Sequence, residues 1–415
     1  MGSANDGHIV AAVDIGTTKV CTVIAEIKEN EINVIGTGWE ENKGVSKGNV
    51  VNIADTSEAI RKSLQKAEQM ASVKVNSVVA SVSGKNIAGI KGHGMTSLSH
   101  SKQKEITEID KDRAIEGATS VPMSHDMEVL HVIPTQYIVD SQDEIKNPIG
   151  MTGLKLEVDA YIITGSVTAI DNVKKVISKA GYSTEDIVLQ SIASSEAVLY
   201  PDEKDIGVLL VDIGGGTTDL ALYQKDALKF VKVIPVGGNL ITSDLVTLLQ
   251  TTKTNAEEIK KKYGIVFPED AAEDEMIDVP DMGSNKVTQV SRRQLAVYIQ
   301  ARVRELVEFV RIELEKEGID KGMYSGGVVV TGGTAQLNGI EKMLREQMNV
   351  RARVGVPIKE KIVGLYDIVS QPEYSTAVGL VGYFVNESGL NNHFLQKKSG
   401  DSIWQIIKNL ISEYI

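Results

Sequence analysis

A chain of 415 residues with 44 basic and 56 acidic side chains has a formal charge of −12, which argues against a surface for a nucleic-acid backbone. The length allows two or more domains, and 42% apolar with 5% aromatic residues suits an α/β protein. A lone cysteine, Cys21, excludes an intrachain disulfide and a cysteine-cluster metal site; with no secretory signal and no apolar run long enough to span a bilayer, the expected compartment is a reducing cytoplasm.

The apolar run at 9–13 leads into Asp14-Ile15-Gly16-Thr17-Thr18-Lys19, and a second strand follows at 20–24, where Cys21 reads as a packed small residue. A third strand is expected at 32–36. An amphipathic helix over 53–70, with Ile60, Leu64 and Ala67 on one face, then precedes a strand at 78–82. Residues 84–163 change character: a charged stretch at 102–116, the strand-like His131-Val132-Ile133-Pro134 and the turn Asn147-Pro148-Ile149-Gly150 suggest an α+β insertion.

After residue 207 the opening order returns. The apolar run 208–211 leads into Asp212-Ile213-Gly214-Gly215-Gly216-Thr217-Thr218-Asp219, then a strand at 230–234 and helices. Such a βββαβ repeat implies two related half-domains with a ligand between them. Glycine lets a turn bring its backbone N–H groups close to phosphate oxygens. Gly16, Thr17 and Thr18, with the charge of Lys19, are therefore candidate phosphate contacts; Gly214, Gly215, Gly216 and Thr217 close from the other side. Asp14 and Asp212, each at a strand end, are candidates to hold Mg²⁺ through water, with turn-capping as the plainer alternative. Asn239, after Gly237-Gly238, begins a helix whose N-terminus is expected to face the cleft. The six histidines show neither metal-ligand spacing nor triad partners.

Near the far end, Thr331-Gly332-Gly333-Thr334 closes another strand. The polar segment 387–401 reads as a flexible linker, and 402–415 as a final amphipathic helix. On it Ile403, Trp404, Ile406, Ile407, Leu410, Ile411, Tyr414 and Ile415 share roughly half of the helical wheel, at ~100° per residue. Such a face suits a membrane interface with Trp404 at headgroup level; the alternative is a helix that docks on protein. Lys397, Lys398 and Lys408 are few cations, so the attachment is expected to be hydrophobic first.

The loops and the repeat resemble the actin/Hsp70/sugar-kinase ATPase superfamily. Ser83-Gly84-Lys85, His131-Val132-Ile133-Pro134, Lys146-Asn147-Pro148-Ile149-Gly150 and Tyr374-Ser375-Thr376-Ala377-Val378-Gly379-Leu380, with the tail, resemble more closely the bacterial FtsA cell division proteins, over essentially the whole chain. This resemblance implies an actin-like fold of two duplicated half-domains around a nucleotide cleft. Subdomain IA would take 1–83, 164–203 and 374–386, the inserted IC 84–163, IIA 204–244 and 312–373, and IIB 245–311. It also implies ATP and Mg²⁺ as ligands, head-to-tail filaments, a lipid-bound tail on the cytoplasmic face of the membrane at the division site, and contact with later division proteins. The C-terminal peptide of FtsZ would bind near 245–311, where Lys286, Arg292, Arg293 and Arg302 offer cations, or simply a solvated helix face.

Within the superfamily pattern, Gly332, Gly333 and Thr334, followed by Ala335 and Gln336, match an adenosine loop. Glu257 and Lys260 match residues that contact ribose and adenine; without the resemblance they read as a solvent-facing ion pair. Gln190 falls where relatives carry a water-positioning Gln or Glu. A glutamine orients water but is a poor base, so any ATPase activity is expected to be slow. Two competing readings are an actin-fold small-molecule kinase, which would need an aspartate base, and a pilus-assembly ATP-binding scaffold, which the tail argues against.

Overall fold

The computed structural model describes residues 7–28, 31–99, 104–283 and 286–387. The tail helix and all of the linker but Glu387 lie outside them. The first half opens with β1 (His8–Ile15), β2 (Lys19–Lys28) and β3 (Glu31–Glu41), followed by α1 (Ile53–Ala71) and β4 (Ser77–Val82). The insertion contains β5 (Ala88–Ser97), α2 (Glu108–Ala118), β6 (Met127–Val139), β7 (Gln142–Ile145) and β8 (Lys155–Ser166). The half then resumes with α3 (Val167–Ala180), β9 (Ser183–Leu189) and α4 (Gln190–Val198).

The second half repeats the plan with β10 (Val208–Ile213), β11 (Thr218–Gln224), β12 (Ala227–Ile234), α5 (Asn239–Leu249) and α6 (Lys253–Tyr263). A hairpin of β13 (Met276–Pro280) and β14 (Val287–Ser291) leads into the long helix α7 (Arg292–Lys316). Next come β15 (Val328–Thr331), α8 (Ile340–Met348), β16 (Ala352–Val354) and β17 (Ile362–Gly364), and α9 (Ser375–Glu387) closes the described chain.

The two main sheets show the duplication directly. The first has the order β9-β4-β1-β2-β3-β17 and the second β12-β11-β10-β15-β16. In each, three antiparallel strands come first and two parallel strands extend the sheet beside the first of them. β1 and β10 are buried almost throughout, as strands covered on both faces should be. α1 and α3 cover the outer face of the first sheet; α5, α7 and α8 cover that of the second; α4 and α9 fill the layer between.

Glycine allows the tightest of these contacts. A Cβ on Gly38 of β3 would lie 1.9 Å from the Ser63 carbonyl oxygen of α1, and one on Gly379 of α9 would lie 1.7 Å from that of Ala193 in α4. α1 presents Ile60, Leu64 and Ala67 to the core as its periodicity requires, and Asn52 caps it by accepting from the amides of Ala54 and Asp55. Cys21 is fully buried.

The insertion forms its own sheet, β7-β6-β8-β5, with α2 on one face and a separate core around Leu156, Val158 and Ile162. At its outer end it meets the β11–β12 turn through two ion pairs, Lys225 to Glu144 at 2.5 Å and Lys146 to Asp226 at 3.3 Å.

Candidate functional site

Strand register carries the two loops to the same place. Each begins where a parallel pair ends, and each closes as a turn with one backbone bond: Gly16 N to Lys19 O and Gly214 N to Thr217 O, both 2.9 Å. The loops meet face to face across the two halves. A Cβ on Gly215 would lie 2.5 Å from Thr18 Cγ2, and one on Gly216 2.5 Å from Thr17 Oγ1. Glycine at both positions is therefore a steric requirement of the closed arrangement.

Three carboxylates sit beneath the loops. Asp14, Asp212 and Asp219 are 5%, 7% and 2% exposed. Asp14 accepts from Ser81 Oγ at 2.8 Å and from Gln190 Nε2 at 2.9 Å. Asp212 accepts from Thr376 Oγ1 at 3.3 Å, and Asp219 from Ser83 Oγ at 2.7 Å. Burial pushes all three carboxyls upward, Asp212 to about 6 and Asp219 to about 7; the charge of Asp14 adds to the rise at Asp212, and those of Asp212 and Asp14 add to it at Asp219. Asp219 was not expected among the site residues; the signal for it was its place at the end of the second glycine loop. Among the described residues no three His, Cys, Asp or Glu converge closely enough to chelate a metal directly. A cation bridged by water fits this donor set, and it would relieve carboxylates that burial holds in an unfavourable state.

Lys19 is placed differently from the sequence expectation. Its amine bonds to the carbonyl oxygen of Glu373, lies 3.5 Å from that residue's carboxylate and stacks 5.7 Å from the centre of the Tyr374 ring. Its charge still reaches Asp14 and Asp212 from the side, lowering both. The amide of Asn239 is also committed: it donates to Gly215 O at 2.8 Å, so the first turn of α5 braces the glycine loop.

The remaining candidates form the other wall. Thr334 Oγ1 donates to Gly214 O at 3.1 Å, and a Cβ on Gly238 would lie 2.3 Å from the same hydroxyl oxygen. Gly332 adopts φ +86°, where a side chain would be strained, and a Cβ there would lie 2.3 Å from Asp212 Oδ1. Gly333 has open space beside it and Gln336 is exposed. Lys260 Nζ reaches Gly238 O at 3.3 Å, Thr242 Oγ1 at 2.9 Å and Glu257 at 2.7 Å. The Glu257–Lys260 pair is thus partly buried, and its lysine is joined to the loop wall at Gly238. Contacts between Gly215 and Thr18, Gly216 and Thr17, Thr334 and Gly214, Gly332 and Asp212, and Lys260 and Gly238 bring most of the phosphate, cation and adenosine candidates together where the two halves meet. A separate cavity of about 700 Å³, between the insertion sheet and the β11–β12 turn, holds none of them.

The arginines of the expected cationic cluster are paired within the chain. Arg292 grips Glu275 at 2.9 and 3.0 Å, Arg293 pairs with Glu273 at 3.1 Å, and Arg302 bonds Asp244 at 2.5 and 2.8 Å. These three guanidiniums already hold acidic partners within the chain.

A family model described as cell division protein FtsA matches residues 209–379, and one described as the SHS2 domain inserted in FtsA matches 84–164. The cell division protein FtsA of Neisseria meningitidis is 40% identical, with 90% of this chain and 89% of that protein covered. The chain belongs to the FtsA family of cell division proteins. The family's Escherichia coli K12 member is 34% identical, with 99% of each chain covered, and the Pseudomonas aeruginosa member is 35% identical over 92% and 91%. Solved structures place the fold in the actin-like class. A PilM-PilN type IV pilus biogenesis complex has a TM-score of 0.63 at 17% identity, covering 89% of this chain and 97% of that one. MreB5 of Spiroplasma citri bound to AMPPNP has a TM-score of 0.53 at 14% identity, covering 93% and 98%. The expected fold, two duplicated halves with an inserted α+β subdomain, is the one observed.

Proposed function

We propose that this family member binds ATP with Mg²⁺ between its halves, assembles head-to-tail on the cytoplasmic face of the membrane and tethers FtsZ there, helping to recruit later division proteins. One observation carries the nucleotide reading: two glycine loops meet over three buried carboxylates whose protonation burial favours. Backbone amides of Thr17, Thr18, Gly215, Gly216 and Thr217 are the donors suited to phosphate, while those of Gly16 and Gly214 close their own turns. Asp14, Asp212 and Asp219 would hold Mg²⁺ through water, and the ion would offset the charge of phosphates beside carboxylates. Gly332, Gly333, Thr334, Gln336, Glu257 and Lys260 are suited to the nucleoside. The MreB5 relative bound to AMPPNP supports the same reading by fold.

Gln190 donates its amide N–H to Asp14, which leaves its carbonyl oxygen to accept from a water molecule. An amide orients water without removing a proton, so turnover is slow. Attachment is assigned to the apolar face of 402–415, and no helix among the described residues is long and apolar enough to cross a membrane. Partner assignment to FtsZ rests on family membership.

Liposome flotation with purified FtsZ and Mg-ATP tests the whole. FtsZ should rise with lipid only when this protein is present, and Trp404→Glu should abolish flotation while leaving ATP binding intact. If the protein floats and FtsZ stays behind, the assigned partner is wrong; if the Trp404 variant floats unchanged, the anchor is.

A further inference from the structure

His131 is buried, 2% exposed, on β6 where it pairs with Ile163. Its ring leaves the insertion sheet and makes two polar contacts with the first half. Nε2 accepts from the backbone N–H of Leu189 at 3.0 Å. Nδ1 lies 3.2 Å from the hydroxyl of Tyr383 on α9, with the rings edge to face at 5.6 Å.

These contacts fix the tautomer. A neutral imidazole whose Nε2 accepts must carry its proton on Nδ1, so Nδ1–H donates to the Tyr383 oxygen. Leu189 ends β9 and is the N-cap residue of α4, and its side chain supplies no cap. The residue after it is Gln190, whose Nε2 donates to Asp14 at 2.9 Å. Tyr383, His131, the Leu189 amide, Gln190 and Asp14 therefore form one continuous line from α9, through the insertion, to the carboxylates beneath the loops.

We propose that His131, with its tautomer held by Tyr383, is a positioning residue for Gln190. It pins the peptide at the β9–α4 junction and so sets where the Gln190 amide lies against Asp14. This rests on the water-positioning reading of Gln190 and extends it to residues that do not line the cleft. The insertion and α9 gain by it a direct mechanical influence on the hydrolytic geometry, since a shift of either withdraws the acceptor from Leu189.

The test compares His131→Leu, which removes the acceptor, with His131→Gln, whose side-chain oxygen can reach the position of Nε2. Full-length protein is selectively nitrogen-labelled at glutamine, and the Gln190 side-chain amide resonance is followed with hydrogen exchange at Leu189 and with Mg-ATP turnover. His131→Leu should shift the Gln190 resonance and speed Leu189 exchange. It should lower kcat about ten- to a hundredfold, the scale of a misplacement near 1 Å, with KM unchanged; His131→Gln should restore all three. An unshifted Gln190 resonance in His131→Leu overturns the proposal, as does equal loss in the Leu and Gln variants. If the wild type turns over no ATP, the hydrolytic reading of Gln190 fails, and the resonance and exchange data still decide whether His131 places it. Should His131→Leu not fold, Tyr383→Phe keeps the ring and frees the tautomer, and the same resonance shift is required of it.

Discussion

Ser83, just beyond β4, donates to Asp219 on β11 over 2.7 Å, so one hydrogen bond between buried groups joins the two halves at the floor of the cleft. The acceptor is a carboxyl that burial and the Asp212 charge raise from 3.8 to about 7. Between those values the folded chain keeps a proton that the unfolded chain has released, so stability falls as pH rises through that window and levels off above it. Asp219→Asn retains an acceptor for Ser83 and removes the charge. Thermal melts should show the variant gaining on the order of 4 kcal/mol over wild type at pH 8 and little at pH 4. A constant difference across pH would mean that Asp219 does not titrate in the fold.

Binding of Mg-ATP should release protons near neutral pH. A cation beside Asp14, Asp212 and Asp219 lowers carboxyls that stand above their usual range, two of them at about 6 and about 7. Calorimetry at pH 6.5 in two buffers of different ionisation enthalpy should give different apparent heats, and the difference should vanish at pH 9. Equal heats at pH 6.5 would remove these carboxylates from the binding event.

Gly215→Val should separate the two loops without unfolding either half. Its Cβ would stand 2.5 Å from Thr18 Cγ2, and both residues are in the loops rather than the sheets. Mg-ATP affinity should fall about tenfold or more, the equivalent of one lost hydrogen bond to a charged group. The melting temperature should barely change; a large fall in it would place the residue in the folding core instead.

Gly379→Ala should do the opposite. The added methyl would meet the Ala193 carbonyl at 1.7 Å, backbone against backbone, with no flexible side chain to yield. Overpacking of this kind costs about 3 kcal/mol, and chemical denaturation should read it as a lower midpoint with an unchanged slope.

The glycine loops, the half-domain repeat and the face of α1 were all legible from the sequence, because each is set by local constraints: close approach, strand order and helical period. What escaped was pairing between distant positions. Ser83 and Asp219 are 136 residues apart, Lys19 and Glu373 are 354 apart, and Arg302 and Asp244 are 58 apart. A lysine beside a glycine loop and arginines on a helix carry the same local signature whether they wait for a ligand or already hold an acid. Only the tertiary register separates the two cases, and here it commits Lys19 and the three arginines to partners within the chain.

The layer formed by α4 and α9 has a further consequence. One continuous core runs through it, taking Ala12, Ile24 and Val79 from the first sheet and Leu210, Ala221 and Val329 from the second. Each sheet turns an apolar face toward helices that the other sheet also needs. Severing the chain at Gly207 would leave both fragments with an uncovered face, and melting one half would strip the other. The duplicated architecture should therefore melt as a single cooperative unit, and the symmetry of its plan does not make it divisible.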